Sequence, residues 1–177
     1  EGKGHGFEIE WDAGRTTWCT QWAHGKQHGL AIQLDDRGRP LLATRFVHGR
    51  GTVLWMTCDK VSELRETVEG ELHGLVRWGD PEHPWEEEHY SRGQRHGIFR
   101  RWTDGTLLKG FPQFYVHDRQ VSRRTYLAAQ ARGPSLPHYA GRDDPNHRSL
   151  PAVVHEAIAR ARQLRQDRVL QRVRRLG

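Results

Sequence analysis

GKQHG, residues Gly25 to Gly29, is one of four copies of a single pattern: GKGHG spans Gly2–Gly6, GELHG spans Gly70–Gly74 and GQRHG spans Gly93–Gly97. A catalytic motif is used once in a chain, whereas a motif used four times at a regular interval is scaffold. The copies start 23, 45 and 23 residues apart. The long interval divides at Gly49, where GRGTV is a degenerate copy with Thr52 and Val53 in place of His-Gly. Five units of about 23 residues then cover Gly2 to about Gly110, and self-similarity at such a period marks a repeat architecture.

Each unit reads as two short strands. Phe7, Ile9 and Trp11 alternate after the first motif, Leu30, Ile32 and Leu34 after the second, and Ile98 and Trp102 after the last. A period of two gives a strand one buried and one wet face. Turn glycines follow at Gly14, Gly38 and Gly105, and a second strand leads back to the next motif. In this reading Gly25, Gly70 and Gly93 make the return turn. Gly29, Gly74 and Gly97 open the next strand, where a missing side chain lets a neighbouring aromatic lie over the backbone. His5, His28, His73 and His96 pack or hydrogen-bond at the junction. Gly2 and Gly6 complete the set of structural turn positions. Histidines of adjacent hairpins would stand about 10 Å apart, twice the strand spacing, which is too far to share one metal ion.

Gly-x-x-His-Gly, an apolar strand, a turn glycine and a second strand together resemble the bacterial variant of the MORN repeat, over residues 2 to about 110. The resemblance implies a mainly β fold, a single-layer antiparallel β-meander of tandem repeats. It also implies an interaction and scaffolding role, of the kind called antitoxin-like in many bacterial variants, and it brings no catalytic residue. The degenerate third unit and the longer loop GDPEHPW at 79–85 depart from the pattern.

The charge is divided. The chain carries a formal net charge of +6, but residues 1–118 hold 15 Lys/Arg against 18 Asp/Glu and residues 119–177 hold 13 against 4. A slightly acidic repeat array, 1–118, therefore carries a basic appendage. Within the appendage, 119–133 is expected as a short helix with Ser122 as N-cap. Residues 134–148, with three prolines among them, are expected as a linker or a loop that hugs the sheet, and 149–177 as a basic C-terminal helix. The last helix begins with an apolar stripe of Leu150, Val153, Val154, Ala157, Ile158, Ala161 and Leu164. Arg165, Arg168, Arg172 and Arg175 continue the same stripe, so one face turns from apolar to cationic near residue 165. Either the helix breaks there or its end meets something acidic.

The catalytic templates fail one by one. HEAIA at 155–159 lacks the second histidine of a zinc-protease helix, and no nucleophile elbow, P-loop or dinucleotide fingerprint is present. EEEHY at 86–90 with His83 has no clear metal-ligand spacing. Cys19 and Cys58 form no ligand pair and read by default as free thiols in a reducing cytoplasm, with a single disulfide between them as the alternative. The expectation is therefore a non-enzymatic module with no cofactor, no metal, no small-molecule substrate and no membrane partner. A partner protein is expected on the aromatic side, near Trp18, Trp22, Trp55, Trp78 and Trp102. The competing reading makes those tryptophans core. The alternative function is a nucleic-acid-associated factor that binds through the arginines of the tail.

Overall fold

In a computed structural model the protein is described at residues 3–80, 83–139 and 150–174, with side chains of the last helix described as far as Asp167. Gly2, Ser149, Arg175 and the side chains of Arg168 and Arg172 lie outside the described residues, as do residues 140–148 of the expected linker. The fold is mainly β, an antiparallel meander followed by two C-terminal helices. Its strands are β1 (Gly6–Asp12), β2 (Arg15–Ala23), β3 (Lys26–Leu34), β4 (Pro40–Phe46), β5 (Arg50–Thr57), β6 (Lys60–Val68), β7 (Glu71–Asp80), β8 (His83–Ser91), β9 (Gln94–Arg95), β10 (Gly97–Thr103), β11 (Thr106–Leu107), β12 (Gln113–Val116) and β13 (Arg119–Val121). The helices are α1 (Arg123–Gln130) and α2 (Ala152–Arg174).

The repeated motif builds one hairpin end and grips the next. His24–Gly25, Glu69–Gly70 and Arg92–Gly93 each form a two-residue turn with positive φ at both residues, the hairpin geometry whose twist matches that of the strands. Beyond the turn the chain bulges at His-Gly. Register jumps from Trp22↔Gln27 to Thr20↔Ala31 in one hairpin and from Thr67↔Leu72 to Arg65↔Val76 in another. The space over the second glycine is filled by a polar side chain from the partner strand. Gln21 Oε1 accepts the Leu30 N–H at 2.6 Å and Glu66 Oε2 accepts the Leu75 N–H at 2.7 Å. The expected aromatic ring is thus replaced by a group that satisfies an amide the bulge takes out of the ladder. At Gly97 the occupants are His89 and Pro137.

The motif histidine reaches forward. Nδ1 of His28, His73 and His96 accepts the backbone N–H of His48, Arg92 and His117 at 3.3, 3.2 and 3.3 Å. The carbonyls just before them, on Gln27, Leu72 and Arg95, accept the N–H of Gly49, Gly93 and Asp118 at 2.8, 2.8 and 2.9 Å. Two adjacent amides of each turn are therefore held by the preceding motif. In the first unit the Gly4 carbonyl takes the Gly25 N–H at 2.9 Å, and the His5 and His24 rings meet edge to face at 4.5 Å.

The meander runs in two sheets, β1-β2-β3-β4 and β5-β6-β7-β8-β10-β12-β13, with β9 and β11 paired to the ends of β8 and β10. The ladder stops between β4 and β5, in the unit that lacks His-Gly. There Phe46 lies over Gly51, where an added Cβ would be 2.6 Å from the ring. Gln33 replaces ladder bonds with its side chain, donating to the Met56 carbonyl at 2.9 Å and accepting the Met56 N–H at 2.7 Å. Trp18, Ala31 and Phe46 from the first sheet pack with Val53 and Trp55 of the second and fill the angle between them.

α2 spans this seam. Val154 and Ala157, with Leu150, Val153 and Ile158 beside them, pack on Leu42, Leu54, Val61 and Leu64 from both sheets. This is the apolar stripe expected from the sequence. Below the seam, α1 starts at the expected cap: Ser122 Oγ accepts the Thr125 N–H at 3.2 Å. Residues 119–121, expected in the helix, form β13 instead. Tyr126 of α1 is fully buried with Ile98, Phe114 and Leu136, and its hydroxyl donates to the Pro137 carbonyl at 2.7 Å. Residues 134–139 accordingly lie against the sheet. On the same covered face Glu87 receives Arg77 at 2.9 Å and Arg100 at 2.9 Å, with all three side chains at most 10% exposed.

Candidate binding cleft

α1, α2 and the 134–139 segment cover one face of the second sheet and leave the other open. That open face and the end of the first sheet form a cleft of about 770 Å³. β2 supplies Trp22, β5 Val53, β7 Leu72, Val76 and Trp78, and β8 Glu88 and Tyr90, while Lys26 and Glu69 stand at the turn end. Alternation explains the set: Val76 and Trp78 point into the cleft while Arg77 between them points to the covered face, and Glu88 and Tyr90 likewise flank His89. Trp78 stacks on the half-exposed Trp85 with ring centroids 6.2 Å apart. A second hollow of about 310 Å³ shares Glu88 and Tyr90 and continues over Phe99, Arg101, Phe111 and Tyr115. The two make one trough along the strands' open side.

Charges in the trough are paired within the chain. Lys26 pairs with Glu69 and Arg65 with Glu63, while Arg101 binds Glu86 at 2.8 Å. Arg95 lies over the Tyr115 ring at 4.6 Å and Arg101 over Phe111 at 5.9 Å. The Tyr90 hydroxyl donates to Glu88 at 2.8 Å. Burial, then that hydrogen bond, pushes the Tyr90 phenol well above its ordinary value. Burial also raises the Glu88 carboxyl, against the hydrogen bond from Tyr90 and reinforced by Glu86. The floor of the trough is thus an aromatic surface with neutralised charges, suited to apolar side chains and to donors that can meet a half-buried carboxylate.

The five tryptophans do not form one surface. Trp22 and Trp78 line the cleft, and the Trp22 indole N–H donates to Glu8 at 2.9 Å. Trp18 is buried at the seam with Trp55, ring centroids 5.9 Å apart. Trp102 is buried on the face of Ile98 and Arg100, away from the cleft. Arg165 turns inward and donates to the Pro40 carbonyl at 2.5 Å. Tyr90 and Glu88 stand out in the sequence only within EEEHY, as a metal candidate without ligand spacing or as a strand's wet face, Trp85 only as that strand's other face, and Tyr115 not at all. The period-two run Glu86, Glu88, Tyr90 was the available signal for the first two.

The EEEHY cluster is committed elsewhere: Glu86 to Arg101, Glu87 to the buried arginines, Glu88 to Tyr90 and the His89 Nδ1 to the Ile98 carbonyl at 2.9 Å. Among the described residues no three His, Cys, Asp or Glu side chains are grouped to hold an ion. Cys19 and Cys58 are free thiols, and burial raises the pKa of the Cys19 thiol. Among the described residues no helix is long and apolar enough to cross a membrane. No family model, curated protein or solved structure matches the chain.

Proposed function

We propose that this chain is a non-enzymatic interaction module, a scaffold or regulatory subunit that holds a segment of a partner protein in the aromatic trough. The observation that carries this reading is the open cleft between the sheets, with Trp22, Trp78 and Tyr90 exposed to it while the helices protect the opposite face. Aromatic rings supply large contact area at low entropy cost and concentrate binding energy in interfaces. The charges along the trough are paired with one another, Lys26 with Glu69, Arg65 with Glu63 and Arg101 with Glu86, so the trough offers apolar contact rather than the unpaired positive stripe that binds a phosphodiester backbone. The alternative, nucleic acid on the basic helix, loses one of its arginines, because Arg165 is engaged with Pro40.

The test compares capture from lysate by the wild-type chain, by Trp78→Ala and by a chain with Arg168, Arg172 and Arg175 replaced by Gln, which keeps the part of α2 that packs on the core, each with and without nuclease. A stoichiometric protein that resists nuclease and is lost with Trp78→Ala supports the reading. A heterogeneous set that vanishes with nuclease and with the three arginine replacements replaces it by the nucleic-acid reading.

A further inference from the structure

Among the described residues, the basic side chains along the trough are each matched with a carboxylate. Lys26, Arg65 and Arg101 are paired as above, Arg95 holds Asp118 at 3.4 Å and Arg100 holds Glu87 at 2.9 Å. Glu88 is matched differently. Its Oε2 accepts the Tyr90 hydroxyl at 2.8 Å, a neutral donor, and among the described residues no basic side chain forms an ion pair with it. The carboxyl is half-buried, and burial raises its pKa. A cation brought beside it therefore offsets the cost of burying its charge.

Strand register sets aromatic rings around this carboxyl. Glu88 on β8 lies opposite Val76 on β7. On the same face Trp78 follows Val76 and Tyr90 follows Glu88 at the strand period, so the two rings flank Glu88 from opposite directions. On β10, Arg100 lies opposite Glu87, which sets Phe99 beside Glu88, with the Phe99 ring 5.6 Å from that of Tyr90. Trp85 backs Trp78. The chain's own cations use the farther rings, Arg95 over Tyr115 and Arg101 over Phe111. Among the described residues none lies over Trp78 or Tyr90.

We propose that the trough selects a lysine of the partner segment, whose ammonium docks on Glu88 between Trp78 and Tyr90. The inference rests on the trough as the partner site and names the chemistry that it recognises. A carboxylate gives the ammonium a charge-assisted hydrogen bond, and the ring faces add cation–π attraction in a partly desolvated site. The lysine stem and its apolar neighbours lie on the Trp78–Trp85 stack while the charged head reaches the carboxylate. An ammonium suits the site better than a guanidinium. Tyr90 already occupies Oε2, which interrupts the two-oxygen face that an arginine fork prefers, whereas a point cation needs one oxygen and the rings.

The probe is acetyl-Ser-Leu-Lys-Leu-Ser-amide titrated into the full chain, with backbone amide and indole NMR shifts as the readout. A control peptide carries Nε-acetyl-lysine, which keeps the stem and removes the charge. Expected is saturable binding of the lysine peptide, with shifts at Trp78, Trp85, Glu88 and Tyr90, about tenfold or more tighter than the control. The side-chain oxygen of Glu88→Gln can still accept the Tyr90 hydroxyl. In that variant the lysine peptide should fall to the level of the control, while the control binds as it does to the wild type and so reports an intact trough. The arginine analogue should bind no more tightly than the lysine peptide. Equal binding of the charged and neutral peptides to the wild-type trough overturns the proposal and leaves the trough as a partner site. A lysine preference that survives Glu88→Gln overturns it too, and tighter binding of the arginine analogue overturns the assignment to lysine. No saturable shift at Trp78 or Tyr90 with any of the peptides overturns both the lysine site and the trough reading beneath it.

Discussion

The Pro40 carbonyl, at the start of β4, accepts a hydrogen bond from Nε of Arg165 at 2.5 Å, across 125 residues of sequence. One turn and a half earlier on α2, Arg160 reaches the Ala43 carbonyl at 2.7 Å. The two arginines restore acceptor partners that β4 loses where the ladder stops. A meander that splits creates two new edges, and in this fold a helix closes one of them.

Arg160→Ala and Arg165→Ala should therefore each cost about 1–3 kcal/mol, the penalty for removing a charged donor from a partly buried carbonyl. Arg162→Ala, at an exposed position on the same helix, should stay within about 0.5 kcal/mol. Urea unfolding midpoints at fixed m-value make the comparison. Equal effects at 162 and 165 would remove the strap from the account and return Arg165 to the pool of free surface cations.

The repeat period, the turn glycines, the Ser122 cap and the apolar stripe of α2 are legible in the sequence because each is local: a spacing, a φ requirement, a cap or a helical period. The trough is less legible. Alternation tells which residues share a face but not which face a helix will cover, so Trp22 and Trp102 look alike in the chain. The missing His-Gly at Thr52-Val53 is visible. Its consequence is not, because the split depends on Gln33 and Phe46 reaching across to Met56 and Gly51. Arg165 reads as surface charge because nothing local announces an acceptor 125 residues away.

Gly74 tests the bulge. Its φ is +98°, and an added Cβ would lie 2.0 Å from Glu66 Oε2. Gly74→Ala meets both a left-handed backbone and a carboxylate that the Leu75 amide needs, so a loss of about 2–4 kcal/mol is expected. Gly105→Ala has φ +73° and open space, so only the backbone term of about 1–2 kcal/mol applies. Adding Glu66→Ala to Gly74→Ala should cost less than the sum of the two, since removing the carboxylate relieves the clash it causes. Strict additivity would show that Glu66 does not occupy the bulge in solution.

His96 carries the pH dependence. Its Nδ1 accepts the His117 N–H, so its proton sits on Nε2, which donates to Ser135 Oγ at 3.2 Å. Burial, and then the His117 ring 4.3 Å away, lower its pKa from the ordinary 6.5. The unfolded chain takes up this proton near pH 6.5 and the folded chain only at lower pH. Between those points the unfolded state binds more protons, so stability falls as pH drops below 6.5 and this loss is complete below the folded value. Denaturation midpoints at pH 7.5, 6.5 and 5.5 should show a shallower decline for His96→Gln than for the wild type. An identical slope would mean that other histidines carry the effect.

Glu87 lies between two arginines in the covered face, taking Arg77 on Oε2 and Arg100 on Oε1 at 2.9 Å each. Glu87→Gln keeps the shape and removes the charge that balances two buried cations. A loss of about 3–5 kcal/mol is expected, with a lowered thermal midpoint and unchanged far-ultraviolet circular dichroism in the surviving folded fraction. A loss below about 1 kcal/mol would show that solvent reaches the site and screens it.

Trp18 and Trp22 separate core from interface within one strand. Trp18 is 7% exposed and packs on Trp55, Ala31 and Phe46 where the two sheets meet. Trp18→Ala opens a void at the seam and should cost about 3–5 kcal/mol. Trp22 lines the cleft, and its one side-chain hydrogen bond goes to the exposed Glu8. Trp22→Ala should cost no more than about 1–2 kcal/mol while removing part of the aromatic wall. The informative measurement pairs chemical unfolding with affinity for the captured partner. Trp22→Ala should leave the unfolding midpoint near that of the wild type and weaken binding at least about tenfold, the usual cost of a hot-spot aromatic. Trp18→Ala should lower the midpoint, with affinity per folded molecule unchanged. The reverse pattern, or Trp22→Ala binding as tightly as the wild type, would move the interface away from this end of the cleft and leave Trp78 and Tyr90 as the aromatic contacts to test.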